Sequence, residues 1–234
     1  MRLDPIAAVA WATFPRPRHP RPQDDVAADL RALATATTLN QAADATTLLL
    51  DGALIDDLAG ELLPAAVAAG PILLDIVEHA HPRARSGALD LLHRMLVIPP
   101  TPEFPRVDTP RGPNPRLCCA VADQIRDRRA MLREHGAPAR RVLAAADTHW
   151  RFEIRETAVD ARGVTVLGLL AGRLPVHPSG AESHRGSTVL PVPAVEAEYA
   201  GERGEALLLL RATDAGAVPP GTVLRPADCG RDQD

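Results

Sequence analysis

The chain contains no lysine, because all 26 of its basic residues are arginines. Alanine, proline and glycine are abundant as well, which is typical of GC-rich coding sequence, so the arginines alone do not indicate phosphate binding. There are 30 acidic residues, and the net charge is −4 at pH 7. Nucleic-acid binding requires a concentrated positive surface. This charge balance therefore disfavours nucleic acid as a partner.

Aromatic residues are scarce, at 3% of the chain, although 46% of the residues are hydrophobic. The core must therefore be built from alanine, leucine and valine. Alanine and leucine are strong helix formers, whereas strands prefer β-branched and aromatic residues. We expect a mainly helical protein. A length of 234 residues accommodates one large domain, or a main domain with a smaller appendage.

Targeting and membrane signals are weak. The apolar run from Ile6 to Phe14 is too short for a typical secretion signal and contains a tryptophan in the candidate cleavage triplet. No stretch approaches the ~20 apolar residues of a membrane span. The three cysteines, Cys118, Cys119 and Cys229, are odd in number and do not suit a framework of paired disulfides. We expect a cytoplasmic protein that does not enter a membrane.

Proline-dense segments divide the chain. Prolines cluster between Pro15 and Pro22 and again between Pro99 and Pro115, and helix interiors exclude them. We therefore divide the chain into the segments 1–23, 24–150, 151–218 and 219–234. The first is expected to be extended, the second a helical domain with the linker 99–115 inside it, the third a mixed or β-containing C-terminal appendage, and the fourth a disordered tail.

Helical periodicity is clear between the proline-dense segments. Asp24 or Asp25 can cap a first helix. Further helices are expected over residues 39–50 and 54–63, and another from Pro64 with a kink or a break at Gly70-Pro71. Beyond the linker, the pattern predicts helices over residues 116–135 and 139–149. After Trp150 the periodicity changes. Phe152 and Ile154 alternate with charged residues, and residues 164–167 favour a strand, whereas residues 175–188 are expected to form a polar loop.

The stretch from Ile72 to Met95 is predicted to form a helix, a turn and a second helix. It resembles a HEAT repeat, whose turn and second helix typically read Asp-Pro-x-Val-Arg-x-x-Ala-x-x-x-Leu. The matching structural positions are Pro82, Arg85, Ala88 and Leu92. His81 stands where the family has aspartate, and Ala84 where it has valine. A second, degraded copy of the turn surrounds Pro138.

This resemblance implies a short α-solenoid of HEAT-like antiparallel helix pairs, because such repeats bury their apolar faces by stacking. Over residues 10–160 the layout is similar to uncharacterised actinobacterial HEAT-repeat proteins. Some of those proteins are encoded beside toxins. The resemblance therefore implies a binding or scaffolding role, with immunity to a toxin as one form of it.

Motifs for catalysis are missing. The sequence has no GxSxG, Walker A, GxGxxG or HExxH pattern. His79 and His81 are two residues apart and would not share a helix face, which disfavours a metal site. Cys118 and Cys119 lie in an apolar helix pattern, where a small core residue is expected. We therefore predict no catalytic residues, no metal and no cofactor.

The predicted activity is non-catalytic binding of another protein. The candidate contact residues are Trp11, Arg126, Arg129 and Trp150. The two tryptophans can be either core anchors or exposed hot spots, and the arginines belong to the most basic cluster. A nucleic-acid-binding face that uses this arginine cluster is the first alternative, and an enzyme of unknown class is the second. The sequence leaves the partner's identity and the oligomeric state open.

Overall fold

The computed structural model describes residues 4–15, 25–56, 58–201 and 204–229. It divides into a helical unit, comprising residues up to 107 together with 116–146, and a barrel unit, comprising residues 108–115 and 147–229. Helix accounts for 43% of the described residues and strand for 28%. The predictions of a mainly α fold and of a HEAT-like α-solenoid are therefore wrong, because a closed β-barrel occupies the place expected for a small appendage.

The helical unit contains the described α-helices, except for the last two residues of α8, which belong to the barrel unit. These are α1 Asp4–Ala7, α2 Val26–Thr35, α3 Leu39–Leu50, α4 Ala65–His79, α5 Pro82–Val97, α6 Leu117–Asp127, α7 Arg129–Arg133 and α8 Gly136–Thr148. A 3-10 turn covers Trp11–Thr13, and a short antiparallel hairpin joins β1 Ile55–Asp56 to β2 Glu61–Leu62. Among the described residues, no helix is long and apolar enough to span a membrane.

Local capping sets where several helices begin. The Asp25 carboxylate accepts hydrogen bonds from the backbone of the first turn of α2. Thr38 and Gln41 form a reciprocal capping box at the start of α3. Pro82 occupies the first turn of α5, where a backbone N–H would have no partner within the helix, so the missing N–H of proline costs nothing. The imidazole of His81 accepts a hydrogen bond from the backbone N–H of Arg83. These starts agree with the sequence pattern.

Helix α5 is the centre of the unit and explains why the fold is not a solenoid. It packs against α2, α3, α4 and α6. A stacked repeat contacts only its neighbours in sequence, whereas α5 is surrounded. Ala88 and Leu92 are fully buried within this packing. At Gly87 a Cβ atom would crowd the Thr46 hydroxyl and the Leu33 side chain, so the glycine permits the close approach of α5 to α2 and α3.

Two local expectations fail in the helical unit. The helix predicted over residues 54–63 is instead the β1–β2 hairpin, because the Asp56 carboxylate accepts from the Ala59 N–H at 3.1 Å and Gly60 adopts a positive φ of 64°. The helix predicted over residues 116–135 is interrupted at Arg128, between α6 and α7. In both cases a turn replaces the continuous helix that the apolar spacing suggested.

Six antiparallel strands form the closed barrel in the order β3-β4-β7-β6-β5-β8. Their bounds are β3 Arg151–Asp160, β4 Gly163–Ala171, β5 Ser179–Arg185, β6 Thr188–Ala200, β7 Glu205–Arg211 and β8 Val223–Pro226. Strand β8 pairs with both β3 and β5 and so completes the closure. It lies in the segment expected to be a disordered tail. Residues 230–234 of that segment, and residues 16–24 of the expected extended N-terminal segment and first helix cap, lie outside the described residues.

The barrel core explains why few aromatic residues suffice. Trp150 and Phe152 are its two large rings, and the remaining interior side chains are those of smaller aliphatic residues. A barrel of so few strands has a narrow interior that valine, leucine and alanine can fill. At Gly168 a Cβ atom would clash with the Glu153 carbonyl and the Phe152 ring, so β4 needs glycine there. Low aromatic content therefore does not exclude a barrel.

Part of the proline-rich linker belongs to the barrel unit. The side-chain amide of Asn114 donates to the carbonyl of Ser187, in the turn between β5 and β6, at 3.2 Å. The backbone N–H of Asn114 donates to the Asp108 carboxylate at 3.1 Å. Asn114 has a φ of 58°, a conformation that asparagine tolerates better than most residues. The linker is therefore an ordered loop over residues 108–115, fastened to a strand turn of the barrel.

Candidate functional site

A row of apolar side chains crosses the outer face of strands β4, β7 and β6. Leu167 on β4 is the register partner of Leu207 on β7, which is also the partner of Tyr199 on β6. Directly paired residues of antiparallel strands project to the same face. Leu167 is 38% exposed and Tyr199 59% exposed. The three side chains therefore form one contiguous and partly exposed apolar surface.

Leu169 extends this surface by one further outward position on β4, and it is 43% exposed. We call Leu167, Leu169, Leu207 and Tyr199 the leucine–tyrosine face. The inward positions between them, including Val166 and Leu208, already fill the barrel core. The exposed leucines are thus not required to build the barrel interior. Contiguous exposed apolar surface of this kind commonly marks an interaction site.

Two carboxylates flank the leucine–tyrosine face. Glu156 on β3 is the register partner of Leu167, and Glu205 on β7 is the register partner of Leu169. Neither carboxylate has an ion pair or side-chain hydrogen bond within the described part of the chain. Both residues are exposed. Two acidic groups without a counter-charge therefore lie directly beside the apolar row.

The other acidic side chains near this face form ion pairs with arginines. Glu153 lies 3.0 Å from the guanidinium of Arg155. Glu198 accepts from Arg162 at 2.6 Å, and Arg162 also contacts Asp160 at 3.3 Å. Glu156 and Glu205, in contrast, have no ion pair within the described part of the chain.

Hydrogen bonds from arginines lower the pKa values of two carboxylates near the face, Glu196 and Asp160. Arg211 binds Glu196 in a bidentate manner, with nitrogen–oxygen distances of 2.5 and 3.0 Å. The side-chain hydrogen bond from Arg211 lowers the pKa of Glu196 below its usual value. The backbone hydrogen bond from Arg162 similarly lowers the pKa of Asp160. Glu196 and Arg211 therefore form a charge-balanced pair, whereas Asp160 and Glu198 share the single guanidinium of Arg162.

A buried polar cluster lies on β5 and β8. Glu182 is the register partner of Arg225, and the Glu182 carboxylate lies 3.4 Å from Nε2 of His184. Neither ring nitrogen of His184 has a hydrogen-bond partner among the described residues. A carboxylate–imidazole pair is suited to general base chemistry. Its side chains are only 11% and 5% exposed, however, which keeps a substrate away from them.

A second cluster lies on the surface of α4. Ligand-type atoms of Asp75, Glu78 and His79 lie within 4.8 Å of one another. The guanidinium of Arg128 already binds both carboxylates, at 3.1 Å to Asp75 and 2.9 Å to Glu78. Nδ1 of His79 lies 3.1 Å from the Asp75 carbonyl within the same helix. The cluster is therefore a hydrogen-bonded surface network held by Arg128, and His81, which caps α5, is not part of it.

The four residues expected to contact a partner occupy different environments. Trp150 is 1% exposed and belongs to the barrel core. Of the two alternatives for this tryptophan, it is therefore a core anchor and not an exposed hot spot. Arg126 is directed into the helical unit, where it pairs with Asp123 and donates to the Ala146 carbonyl. Arg129 is partly exposed at the start of α7.

Trp11 is also partly exposed. Its indole N–H donates to the Ile6 carbonyl at 2.8 Å, and its ring lies 6.1 Å from that of Phe14.

The residues assigned structural roles lie at the junction of α4 and α5. There Nε of Arg85 donates to the Val77 carbonyl at 2.8 Å, near the end of α4.

The leucine–tyrosine face was missed at the sequence level. The run Leu207–Leu210 indicated such a face. Successive residues of a strand point to opposite faces, so four consecutive leucines must place leucine side chains on both faces of the sheet. The partners on β4 and β6 could not be read from the sequence, since they depend on strand register. The polar composition of β5 hid the strand that carries Glu182 and His184.

Comparisons with known proteins give no match: no family model, no curated protein and no solved structure is similar to the chain. The HEAT resemblance is therefore without support from either the fold or the comparisons. Immunity to a toxin, which only that resemblance implies, is likewise without support.

Proposed function

We propose that this protein is a non-catalytic binding module, and that the leucine–tyrosine face is the surface to which its protein partner docks. The observation that carries the proposal is the cross-strand row of Leu167, Leu207 and Tyr199, which is exposed although the barrel core is already complete. Covering such a surface releases about 25 cal/mol for each Å² of apolar area. Tyrosine is also enriched among residues that dominate binding energy.

The closed barrel favours one mode of docking. A sheet with a free edge can bind a peptide as an added strand, but every strand of this barrel is paired on both sides. A partner must therefore bind through side chains that project from the face. A rigid closed sheet also holds those side chains in place before binding, which lowers the entropic cost of association.

The two alternatives from the sequence receive less support. Of the predicted arginine cluster, Arg126 faces inward and Arg128 is neutralised by Asp75 and Glu78. That arrangement, with a net charge of −4, disfavours a nucleic-acid surface. An enzyme would need an accessible reactive group, and the carboxylate–imidazole pair of Glu182 and His184 is buried. We therefore favour binding over catalysis.

The proposal is tested with Leu167→Asp and Tyr199→Asp, each of which places a charge in the apolar row. Val176→Asp is the matched control, because Val176 is a 94% exposed apolar residue in the same unit but outside the face. Quantitative co-purification from cells identifies proteins retained by the unmodified chain, and each is then tested by calorimetry as a purified protein. We expect a one-to-one complex that both face variants weaken by at least tenfold, or about 1.4 kcal/mol.

The control variant should bind as the unmodified chain does. Circular dichroism and thermal melting of all variants establish that the barrel remains folded. A purified partner that binds the folded face variants as tightly as the unmodified chain would show that the leucine–tyrosine face is not the docking surface.

A further inference from the structure

We infer that the partner presents apolar side chains flanked by arginine or lysine, so that its cations pair with Glu156 and Glu205 while its apolar groups cover the leucine–tyrosine face. This inference rests on the proposed function and specifies the chemistry of the partner. It follows from the charge distribution around the face, taken together with the strand register.

The register places both carboxylates within reach of any molecule that covers the leucines. Glu156 lies opposite Leu167, and Glu205 lies opposite Leu169, each on the neighbouring strand. Directly opposite side chains on antiparallel strands have Cβ atoms about 4.5–5.5 Å apart. A partner that buries the two leucines therefore also removes water from the two carboxylates.

Desolvating a carboxylate is costly unless it gains a charged or hydrogen-bonding partner. The chain itself supplies no such partner to Glu156 or Glu205 in its described part, although arginines pair with the neighbouring acids. A bound molecule can supply the counter-charge that the described residues do not provide. A basic side chain at each position satisfies this requirement and also selects for partners that carry it.

The same charges disfavour three other occupants. A second copy of the chain, related by two-fold symmetry on this face, would bring its own unpaired Glu156 and Glu205 towards those of the first. Anionic lipid surfaces and nucleic acids would be repelled by the two carboxylates. A basic and apolar protein surface is the occupant that remains attractive at both the leucines and the glutamates.

The test uses three synthetic amphipathic helical peptides of about 18 residues. They share one leucine and alanine face, and their flanking positions carry arginine, glutamine or glutamate. Binding to the full chain is followed by the backbone amide signals of Leu167, Leu207 and Tyr199 in nuclear magnetic resonance spectra. We expect the arginine peptide to shift these signals at concentrations roughly tenfold lower than the glutamine peptide, and the glutamate peptide to bind most weakly.

The double variant Glu156→Gln/Glu205→Gln should remove the preference for the arginine peptide. The variant Asp44→Asn/Glu134→Gln is the matched control, because it makes the same change in net charge at two exposed acidic residues of the helical unit. This control should keep the preference. If it loses the preference as well, the effect arises from total charge, and the inference is overturned.

Other outcomes separate this inference from the proposed function. Equal binding of the arginine and glutamine peptides at the face would overturn the basic-partner inference and leave protein docking intact. The absence of any signal change at the face with all three peptides also overturns it, while the co-purification experiment decides the proposed function independently. Binding to phosphatidylglycerol vesicles, or self-association abolished by Tyr199→Asp, would identify a different occupant and overturn the inference.

Discussion

The side-chain amide of Gln124 on α6 donates a hydrogen bond to the carbonyl oxygen of Val67 on α4, at a distance of 2.9 Å. Val67 lies four residues before Pro71, which has no N–H to donate to that carbonyl. Gln124 thus supplies the hydrogen bond that the proline cannot make. At Gly70 a Cβ atom would clash with Oε1 of Gln124, so the neighbouring glycine provides the necessary space. Helix α4 runs from Ala65 to His79 through this proline without the break that the sequence allowed.

We predict that Gln124→Leu destabilises the protein by about 1–3 kcal/mol, because it leaves the buried Val67 carbonyl without a donor. Pro71→Ala restores a backbone N–H at the correct position. In a Pro71→Ala background the cost of Gln124→Leu should therefore be smaller. Chemical denaturation of the four chains of this double-mutant cycle measures the coupling. Equal costs in the two backgrounds would show that Gln124 does not compensate for the proline.

Arg126 is predicted to stabilise the fold. It forms a buried ion pair with Asp123, in which the two side chains are 9% and 6% exposed, and it donates to the Ala146 carbonyl at 2.6 Å. Arg126→Ala leaves the Asp123 carboxylate buried without this cation, which should cost on the order of 3 kcal/mol. Arg133→Ala, at an exposed position on α7, is the control and should change stability by less than about 0.5 kcal/mol. Similar melting temperatures for both variants would contradict a structural role for Arg126.

Ala212 follows strand β7 with a φ of 52°, in the left-handed region that disfavours residues with a Cβ atom. We predict that Ala212→Gly stabilises the barrel by about 1 kcal/mol. The strain that glycine removes from the folded state outweighs the flexibility that glycine adds to the unfolded chain. Urea denaturation measures the difference. Ala197→Gly in strand β6 is the contrasting variant and should destabilise the protein. A loss of stability for Ala212→Gly would show that the turn does not strain alanine.

The Glu196–Arg211 pair provides a prediction on pH. The hydrogen bond from Arg211 holds the pKa of Glu196 below its usual value in the folded state. A lowered folded-state pKa contributes stability above the unfolded-state pKa, and this contribution is lost as the pH falls through the lowered value. Arg211→Gln should therefore raise the pKa of Glu196 and reduce stability at neutral pH more than in acid. Carbon-13 titration of the Glu196 carboxyl group checks the direction, and an unchanged titration would exclude the pairing in solution.

The sequence predicted the helical unit better than the barrel because helix signals are local. Asp25 and Pro82 lie at helix starts, where capping preferences identify them without knowledge of the tertiary structure. The resemblance to a repeat failed for a different reason. Ala88 and Leu92 are indeed buried, but their spacing is shared by any packed helix and does not distinguish a central bundle helix from a stacked one.

The barrel strands carry signals that conflict with simple patterns. Strand β6 contains Pro191 and Pro193, although prolines normally argue against a strand with partners on both sides. Strand β5 buries Glu182 and His184 as well as Ala181, so it lacks the alternation of apolar and polar residues that marks a half-buried strand. The leucine–tyrosine face depends on pairing between strands distant in sequence. No local pattern could place Leu167 beside Leu207.

Strand β8, Val223–Pro226, is the last of the described strands along the chain, yet it pairs with both β3 and β5. During synthesis on the ribosome, β3 to β7 can form only an open sheet until this short segment has emerged. Both borders of that sheet then expose unpaired backbone groups, which can recruit strands from other nascent chains. The barrel thus has a late and vulnerable step in its maturation. Substitutions at the four residues of β8 should therefore reduce the yield of folded protein more than the burial of those residues in the finished barrel suggests.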